Sequence, residues 1–283
     1  MGIDKVKFFK IIKVLPIIIW LIYLVIFNTE FRDHLPYTVN SNAIEKKHLR
    51  SDVCLALLGG SNVRSGLSAR KISTKACKGV NLGLSGEYGG FTHYSNWLDS
   101  KLSADVVIYS PSIIWSDISV VTSENDFQNI IPAIPLISQV KAYFSYSKVS
   151  THTFDSFGDQ INYSCDTVFE GFSLNKQKFT NSNVSIVREI ARRIDILKKI
   201  TKAEEVLIRV PPIYVKKRNK ESYMKIMNER IKNLNSAGII VIGDTKVSID
   251  KSLFCDSFHP NQKGRDVFSS EIKNALQGFQ LIY

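Results

Sequence analysis

The ten residues VCLALLGGSN, from Val53 to Asn62, decide the fold class because they predict a buried strand followed by a tight turn. Six consecutive apolar residues are typical of a strand that is covered on both faces, as in a parallel sheet. The two glycines after them allow a sharp change of direction. Ser61 then lies at the carboxyl end of the strand, where parallel α/β sheets bind their ligands.

Strands and helices alternate along the rest of the chain. Four further strands are predicted, over Val80–Leu84, Ala104–Ser110, Glu205–Val210 and Ala237–Gly243. Three amphipathic helices are predicted, over Val184–Ile200, Lys220–Leu234 and Pro260–Leu276, with Pro260 suited to a first helical position. This alternation predicts an α/β doubly wound parallel sheet with right-handed crossovers. Residues 116–183 show no clear period and are interpreted as an insertion that covers or shapes the site.

A long apolar segment precedes this domain. The residues from Phe8 to Phe27 would form a helix of about 30 Å, the thickness of a bilayer's hydrocarbon core. A cleaved signal peptide would need small residues after the apolar run, and Ile26–Phe31 offers none. We therefore expect a leader over 1–7, one transmembrane signal anchor over 8–27, a connector over 28–50 and a catalytic domain over 51–283.

The charges that flank the apolar segment predict its orientation. Four lysines precede its uncharged part, whereas Arg32 is the only lysine or arginine among the 15 residues that follow it. The positive-inside rule then places the N-terminus in the cytoplasm and the domain outside it. For a bacterium this means the periplasm or the outer surface of the inner membrane, and for a eukaryote a secretory lumen.

Composition narrows the classes of protein. The 283 residues include 44% hydrophobic residues, 15 Gly and 8 Pro, which excludes wholesale disorder and collagen-like architecture. The net charge of +11 is compatible with an anionic glycan or membrane surface. No basic arm, finger or aromatic-basic platform accompanies this charge, so nucleic acid is not an expected partner. No zinc-ligand spacing, phosphate-binding loop or dinucleotide fingerprint occurs, so neither metal nor cofactor is expected.

The four cysteines are too few for a disulfide scaffold at this length, but an exported domain allows them to oxidise. Three pairings are open. Cys54 and Cys77 precede or begin adjacent predicted strands, so they form the first-choice pair.

Three strand ends carry residues suited to nucleophilic catalysis. Ser61 follows the first strand, Gly86 follows the second, and Asp256 and His259 follow the fifth. A serine nucleophile needs an imidazole base, which in turn needs a carboxylate to orient it. The backbone N–H groups of Ser61 and Gly86 are candidates for an oxyanion hole.

These blocks resemble the SGNH (GDSL-like) hydrolase and acyltransferase superfamily. The matching segments are LLGGSNVRSG, NLGLSGEY and DSFHPNQKG, in the family's order. The resemblance implies a flavodoxin-like three-layer sandwich with a central parallel sheet. It also implies that Ser61 is the nucleophile, Gly86 an oxyanion-hole glycine, Asp256 the acid and His259 the base.

One family block departs from the pattern. The family places a Gly-x-Asn-Asp with an oxyanion-hole Asn after the third strand, but Tyr109–Trp115 reads YSPSIIW. The alternatives for the missing donor are Ser110, Ser112, a backbone N–H and Asn62. Membrane-anchored relatives that modify surface polysaccharides share this loss.

Further substrate contacts are expected from side chains near these strand ends, and Ser110 and Ser112 are also candidates for this role. His93 follows the Gly86 loop, and Arg64 and Arg209 lie close to strand ends where they would suit an anionic sugar. Both arginines have a structural alternative, namely capping helices or pairing with carboxylates.

The expected function is serine-dependent acyl transfer. By analogy with anchored relatives, we expect an O-acetyltransferase that acts on a cell-surface polysaccharide through an acyl-serine, with a glycan acceptor, an acyl donor and a multispanning membrane acyltransferase as partners. A carbohydrate or lipid esterase of the same fold is one alternative. A non-catalytic glycan-binding or assembly protein on a degenerate hydrolase fold is the other.

Overall fold

The computed structural model of the chain describes the following residues: 15–20, 53–83, 91, 95, 98, 102–111, 114, 153–161, 183–214, 220–243, 250–256 and 259–279.

Five parallel strands form the central sheet of the described chain. They are β1 (Val53–Gly59), β2 (Gly79–Asn81), β3 (Ala104–Ser110), β6 (Glu205–Arg209) and β7 (Val241–Ile242). Their order is β2-β1-β3-β6-β7, with every neighbouring pair parallel. This is the strand order of flavodoxin-like sheets, and it confirms the predicted α/β fold with a central parallel sheet.

Helices pack on both faces of this sheet. They are α1 (Ser61–Arg64), α2 (Ala69–Ile72), α3 (Asn183–Thr201), α4 (Lys220–Ser236) and α5 (Gln262–Gly278). Apolar residues of α3 and α4, such as Ile190 and Met227, belong to the core on one face. Apolar residues of α1, α2 and α5, such as Val63 and Phe268, belong to the core on the other face.

Three predicted elements differ clearly from the structure in their bounds. β2 ends at Asn81, whereas the predicted strand ran to Leu84. β7 is shorter than the apolar run Ala237–Gly243, because α4 continues to Ser236 and the chain then turns at Gly238 with φ +77°. The last helix begins at Gln262 rather than Pro260, because the side chain of Asn261 accepts the N–H of Gly264 and caps the helix there. Pro260 instead forms an isolated antiparallel bridge with Phe254.

The predicted insertion contains one described element, a hairpin. It comprises β4 (Thr153–Phe154) and β5 (Gln160–Ile161), which pair antiparallel. The carbonyl of Phe157 in its turn accepts the N–H of Asn81, so the hairpin docks beside the end of β2. The other residues of 116–182 lie outside the described chain.

The predicted anchor is described only over residues 15–20, which are helical and exposed. Within the described ranges, no helix combines the length and hydropathy that crossing a membrane requires. The remaining residues of 8–27 lie outside these ranges, so the anchor stays a prediction.

The first-choice disulfide is confirmed. Cys54 in β1 is bonded to Cys77, two residues before β2, across a sequence separation of 23 residues. Cys255 is disulfide-bonded as well. The bond between Cys54 and Cys77 ties the strand that leads to Ser61 to its neighbour in the sheet.

Candidate active site

Ser61 stands at the first position of α1, directly beyond the end of β1. The turn before it depends on Gly59, which has φ +147°, a backbone conformation that residues with a side chain rarely adopt. A Cβ at this position would lie 2.7 Å from Val63 Cγ2 and 2.8 Å from the carbonyl oxygen of Ser110. Glycine therefore allows β1 to turn tightly enough to place Ser61 at the edge of the sheet.

His259 lies against Ser61 although the two residues are separated by nearly two hundred positions. Its Nε2 is 2.8 Å from Ser61 Oγ. Its Nδ1 is 2.6 Å from Asp256 Oδ2, and its backbone N–H donates to Asp256 Oδ1 at 2.8 Å. The side chains of His259 and Asp256 are 30% and 40% exposed, so the chain of three residues is open to solvent.

The carboxylate determines which imidazole nitrogen carries the proton. An ionised Asp256 can only accept hydrogen bonds, so the proton of a neutral imidazole is held on Nδ1. Nε2 of His259 then has a free lone pair directed at the hydroxyl of Ser61. This is the arrangement in which a histidine can remove the proton of a serine.

Asn62 and Ser110 form a second polar chain beside Ser61. Asn62 is 7% exposed and Ser110 is fully buried, and Asn62 Nδ2 donates to Ser110 Oγ at 3.2 Å. The hydroxyl of Ser110 donates in turn to the carbonyl oxygen of Arg209 at 3.2 Å. Because a carbonyl can only accept, the single hydroxyl proton of Ser110 is committed, and Asn62 must present its NH₂ group to Ser110.

The loop that carries His259 packs directly on the segment that carries Ser61. A Cβ added to Gly66 would lie 3.1 Å from Pro260 Cδ and 2.2 Å from the carbonyl oxygen of Asn62. A Cβ added to Gly264 would meet first the carbonyl oxygen of Leu253, at 2.0 Å, and then Pro260 Cβ, at 3.0 Å. Pro260 therefore packs against both glycines together with neighbouring backbone carbonyls, and this close approach holds the loop of His259 against the segment of Ser61.

We expect Gly66→Ala to lower the rate of Ser61 acylation about 100-fold, because a misplacement of about 1 Å between reacting groups costs that much. The methyl group would press on Pro260 and on the backbone of Asn62. The measurement is the rate constant of inactivation by a fluorophosphonate. Gly278→Ala is the matched control, since a Cβ at Gly278 has no atom within 4 Å. An unchanged rate in Gly66→Ala, with the protein folded, would contradict this account of the packing.

The remaining predicted site residues are two arginines that the structure describes and three residues that it does not. Arg64 is half-buried at the end of α1. Arg209 is 2% exposed, and burial lowers its pKa to about 9 while Glu271 opposes that shift. Arg209 is therefore enclosed rather than presented to a sugar. Gly86, Ser112 and His93 lie outside the described residues.

Two buried polar residues of this region escaped the sequence analysis. Asn81 and Asp159 are each 1% exposed and hydrogen-bond to the segment after Ser61. Asn81 begins the segment NLGLSGEY and is a polar residue inside the predicted strand Val80–Leu84, which was a signal for a specific role. Asp159 carried no such signal, because a hairpin with two-residue strands is too short to show a periodic pattern.

No protein-family model and no curated protein matches the chain. Among solved structures, it is similar to a protein from Streptococcus pneumoniae that was provisionally described as a platelet activating factor. The sequence identity is 13% and the TM-score 0.39, over 93% of this chain and 98% of that chain. A similarity at this level assigns no function.

Proposed function

We propose that the protein is a serine-dependent acyl transfer enzyme of the esterase and O-acyltransferase type. The observation that carries this proposal is the chain of hydrogen bonds from Ser61 Oγ through His259 to Asp256. A nucleophile, a base and a residue that orients the base are the parts that acyl transfer through a covalent serine requires.

The reaction follows from the direction of these hydrogen bonds. Ser61 Oγ attacks the carbonyl carbon of an acyl ester while His259 Nε2 takes its proton, and Asp256 stabilises the imidazolium. The same proton then goes to the departing alcohol, which leaves Ser61 acylated. An acceptor hydroxyl, or water, attacks the acyl-serine with His259 again as base and restores the free serine.

The developing oxyanion needs hydrogen-bond donors. The N–H of Ser61 is at the N-terminus of a helix, where backbone donors have no partner within the helix. The Nδ2 group of Asn62, oriented by Ser110, is a candidate for the place of the family's missing Asn. Gly86 remains the third expected donor.

We further propose that the domain is exported, that it is held at a membrane by residues 8–27, and that it acetylates a cell-surface polysaccharide. The apolar segment and its preceding lysines support export, and so does the disulfide between Cys54 and Cys77, since such bonds persist in oxidising compartments. A multispanning acyltransferase that supplies the acyl group would complete this assignment.

The test uses the purified full-length chain in two assays. Treatment with a fluorophosphonate, followed by peptide mass spectrometry, should find the adduct on the peptide that contains Ser61. An acetyl-ester reporter is then hydrolysed with and without a polysaccharide acceptor. Transfer predicts that the acceptor suppresses hydrolysis and becomes acetylated. Fast hydrolysis that is unaffected by any acceptor favours the esterase, and no adduct at all favours the non-catalytic alternative.

A further inference from the structure

Asn81, the last residue of β2, holds together two segments that meet beside Ser61. Its Nδ2 group donates to the carbonyl oxygens of Val63 at 3.1 Å and Leu67 at 2.9 Å. Its Oδ1 accepts the N–H of Gly83 at 3.1 Å. Both amide hydrogens and the amide oxygen are therefore engaged, in a side chain that is 1% exposed.

The accepting carbonyls belong to the turn that begins at Ser61. The helix α1 is only four residues long, so its own hydrogen bonds are too few to set its direction. Asn81 binds the carbonyl of Val63 within this helix and that of Leu67 just after it. Fixing the far end of the turn also fixes the direction in which its first residue, Ser61, presents its hydroxyl and N–H groups.

The same side chain controls how closely the chain after β2 approaches α1. A Cβ at Gly83 would lie only 2.3 Å from the backbone nitrogen of Arg64, so these two segments are in direct backbone contact. Asn81 Oδ1 holds the Gly83 side of this contact, and Asn81 Nδ2 holds the α1 side. A single amide thus joins the two segments at their point of contact.

The hairpin of the insertion supports this arrangement through a buried carboxylate. Asp159 accepts the N–H groups of Ala69 at 2.7 Å and Arg70 at 3.0 Å and the hydroxyl of Ser68 at 2.6 Å. Its Oδ1 is also 3.4 Å from Asn81 Nδ2. Asp159 therefore anchors the start of α2, which continues directly from the turn that Asn81 holds.

We propose that Asn81 is a positioning residue for Ser61, and that Asp159 supports it from the hairpin. This assignment rests on the proposed function, because it presumes that Ser61 is a nucleophile. Among the described residues, the side chain of Asn81 forms no hydrogen bond with Ser61 itself. Its effect passes through the carbonyls of Val63 and Leu67 to the helix that Ser61 begins.

The test is Asn81→Asp in the full-length chain. Aspartate keeps the size of the side chain and an oxygen for the N–H of Gly83. It replaces the donor to the two carbonyls with an oxygen that repels them and Asp159. Asn81→Ser is the second variant, since one short hydroxyl cannot serve both carbonyls. Thr201→Val is the matched control: it deletes a buried 2.7 Å hydrogen bond to Leu197 at the opposite edge of the sheet.

Two quantities separate positioning from a merely structural role. Titration with a fluorophosphonate gives the fraction of molecules with a competent Ser61, and its time course gives the rate constant per competent site. We expect the Asn81 variants to lower this rate constant about 100-fold at an unchanged titre. Thr201→Val should keep the rate constant within about threefold of the wild type, even if it lowers the melting temperature as much as the Asn81 variants do.

Each outcome decides the assignment. A wild-type rate constant per titrated site in a folded Asn81 variant overturns it, whether or not the titre falls. If Asn81→Asp does not fold, the rate constant of Asn81→Ser decides in the same way. No adduct on Ser61 in the wild-type chain would overturn the proposed function, and this assignment with it, so the two failures are distinguishable.

Discussion

Replacing Ser61 with alanine should abolish covalent labelling by a fluorophosphonate and lower kcat for acyl-ester hydrolysis by on the order of 10⁵-fold or more. The reason is that Ser61 Oγ is the atom 2.8 Å from His259 Nε2, at the end of the chain that Asp256 begins. Without this oxygen, the base has no nucleophile to activate. Substrate binding should persist, so KM should change far less than kcat.

Ser270→Ala is a suitable control for this experiment. Ser270 is a partly buried serine of α5 whose hydroxyl bonds to the carbonyl of Asp266, so its loss removes a hydroxyl without touching the site. Its labelling rate should stay within about threefold of the wild type. Labelling that survives in Ser61→Ala and maps to another serine would show that the nucleophile lies elsewhere.

The parts of the fold that follow from local sequence were predictable. Runs such as Val53–Leu58 and Ala104–Ser110 are apolar enough to indicate buried strands without any knowledge of the rest of the fold. Both runs are strands of the central sheet in the structure. The meeting of Ser61 with Asp256 and His259 was predictable for a related reason. Parallel strands end at one edge of a sheet, so residues that follow different strands converge there.

The contacts that depend on packing between distant segments were not predictable. Asn81 and Asp159 bind backbone carbonyl and N–H groups of the turn after Ser61. Residues of every type carry a backbone carbonyl, and all but proline carry an N–H. The sequence of the turn therefore does not reveal these contacts. Pro260 shows the same limit. Proline favours the first turn of a helix in general, but here the capping side chain of Asn261 starts the helix later and leaves Pro260 to pack against Gly66.

Asp256→Asn should lower kcat about 10⁴-fold while leaving the Ser61 adduct detectable after long exposure to a fluorophosphonate. Asp256 Oδ2 accepts from His259 Nδ1 at 2.6 Å, and Oδ1 accepts the backbone N–H of the same histidine at 2.8 Å. An asparagine keeps its oxygen on the backbone N–H, which is a fixed donor. Its NH₂ group then faces Nδ1 and donates to it, so the imidazole proton moves to Nε2.

The consequence is a histidine with the wrong tautomer in nearly native geometry. Its Nε2 then carries a proton and cannot accept that of Ser61, so the loss is expected in kcat rather than in KM or in folding. Asp250→Asn provides a matched control in the same loop, because Asp250 caps the turn Lys251–Leu253 through an oxygen that asparagine retains. It should keep kcat within about threefold of the wild type. A comparable loss in both variants would mean that Asp256 acts through the stability of the loop, whereas a loss confined to Asp256→Asn would establish that its carboxylate sets the proton of His259.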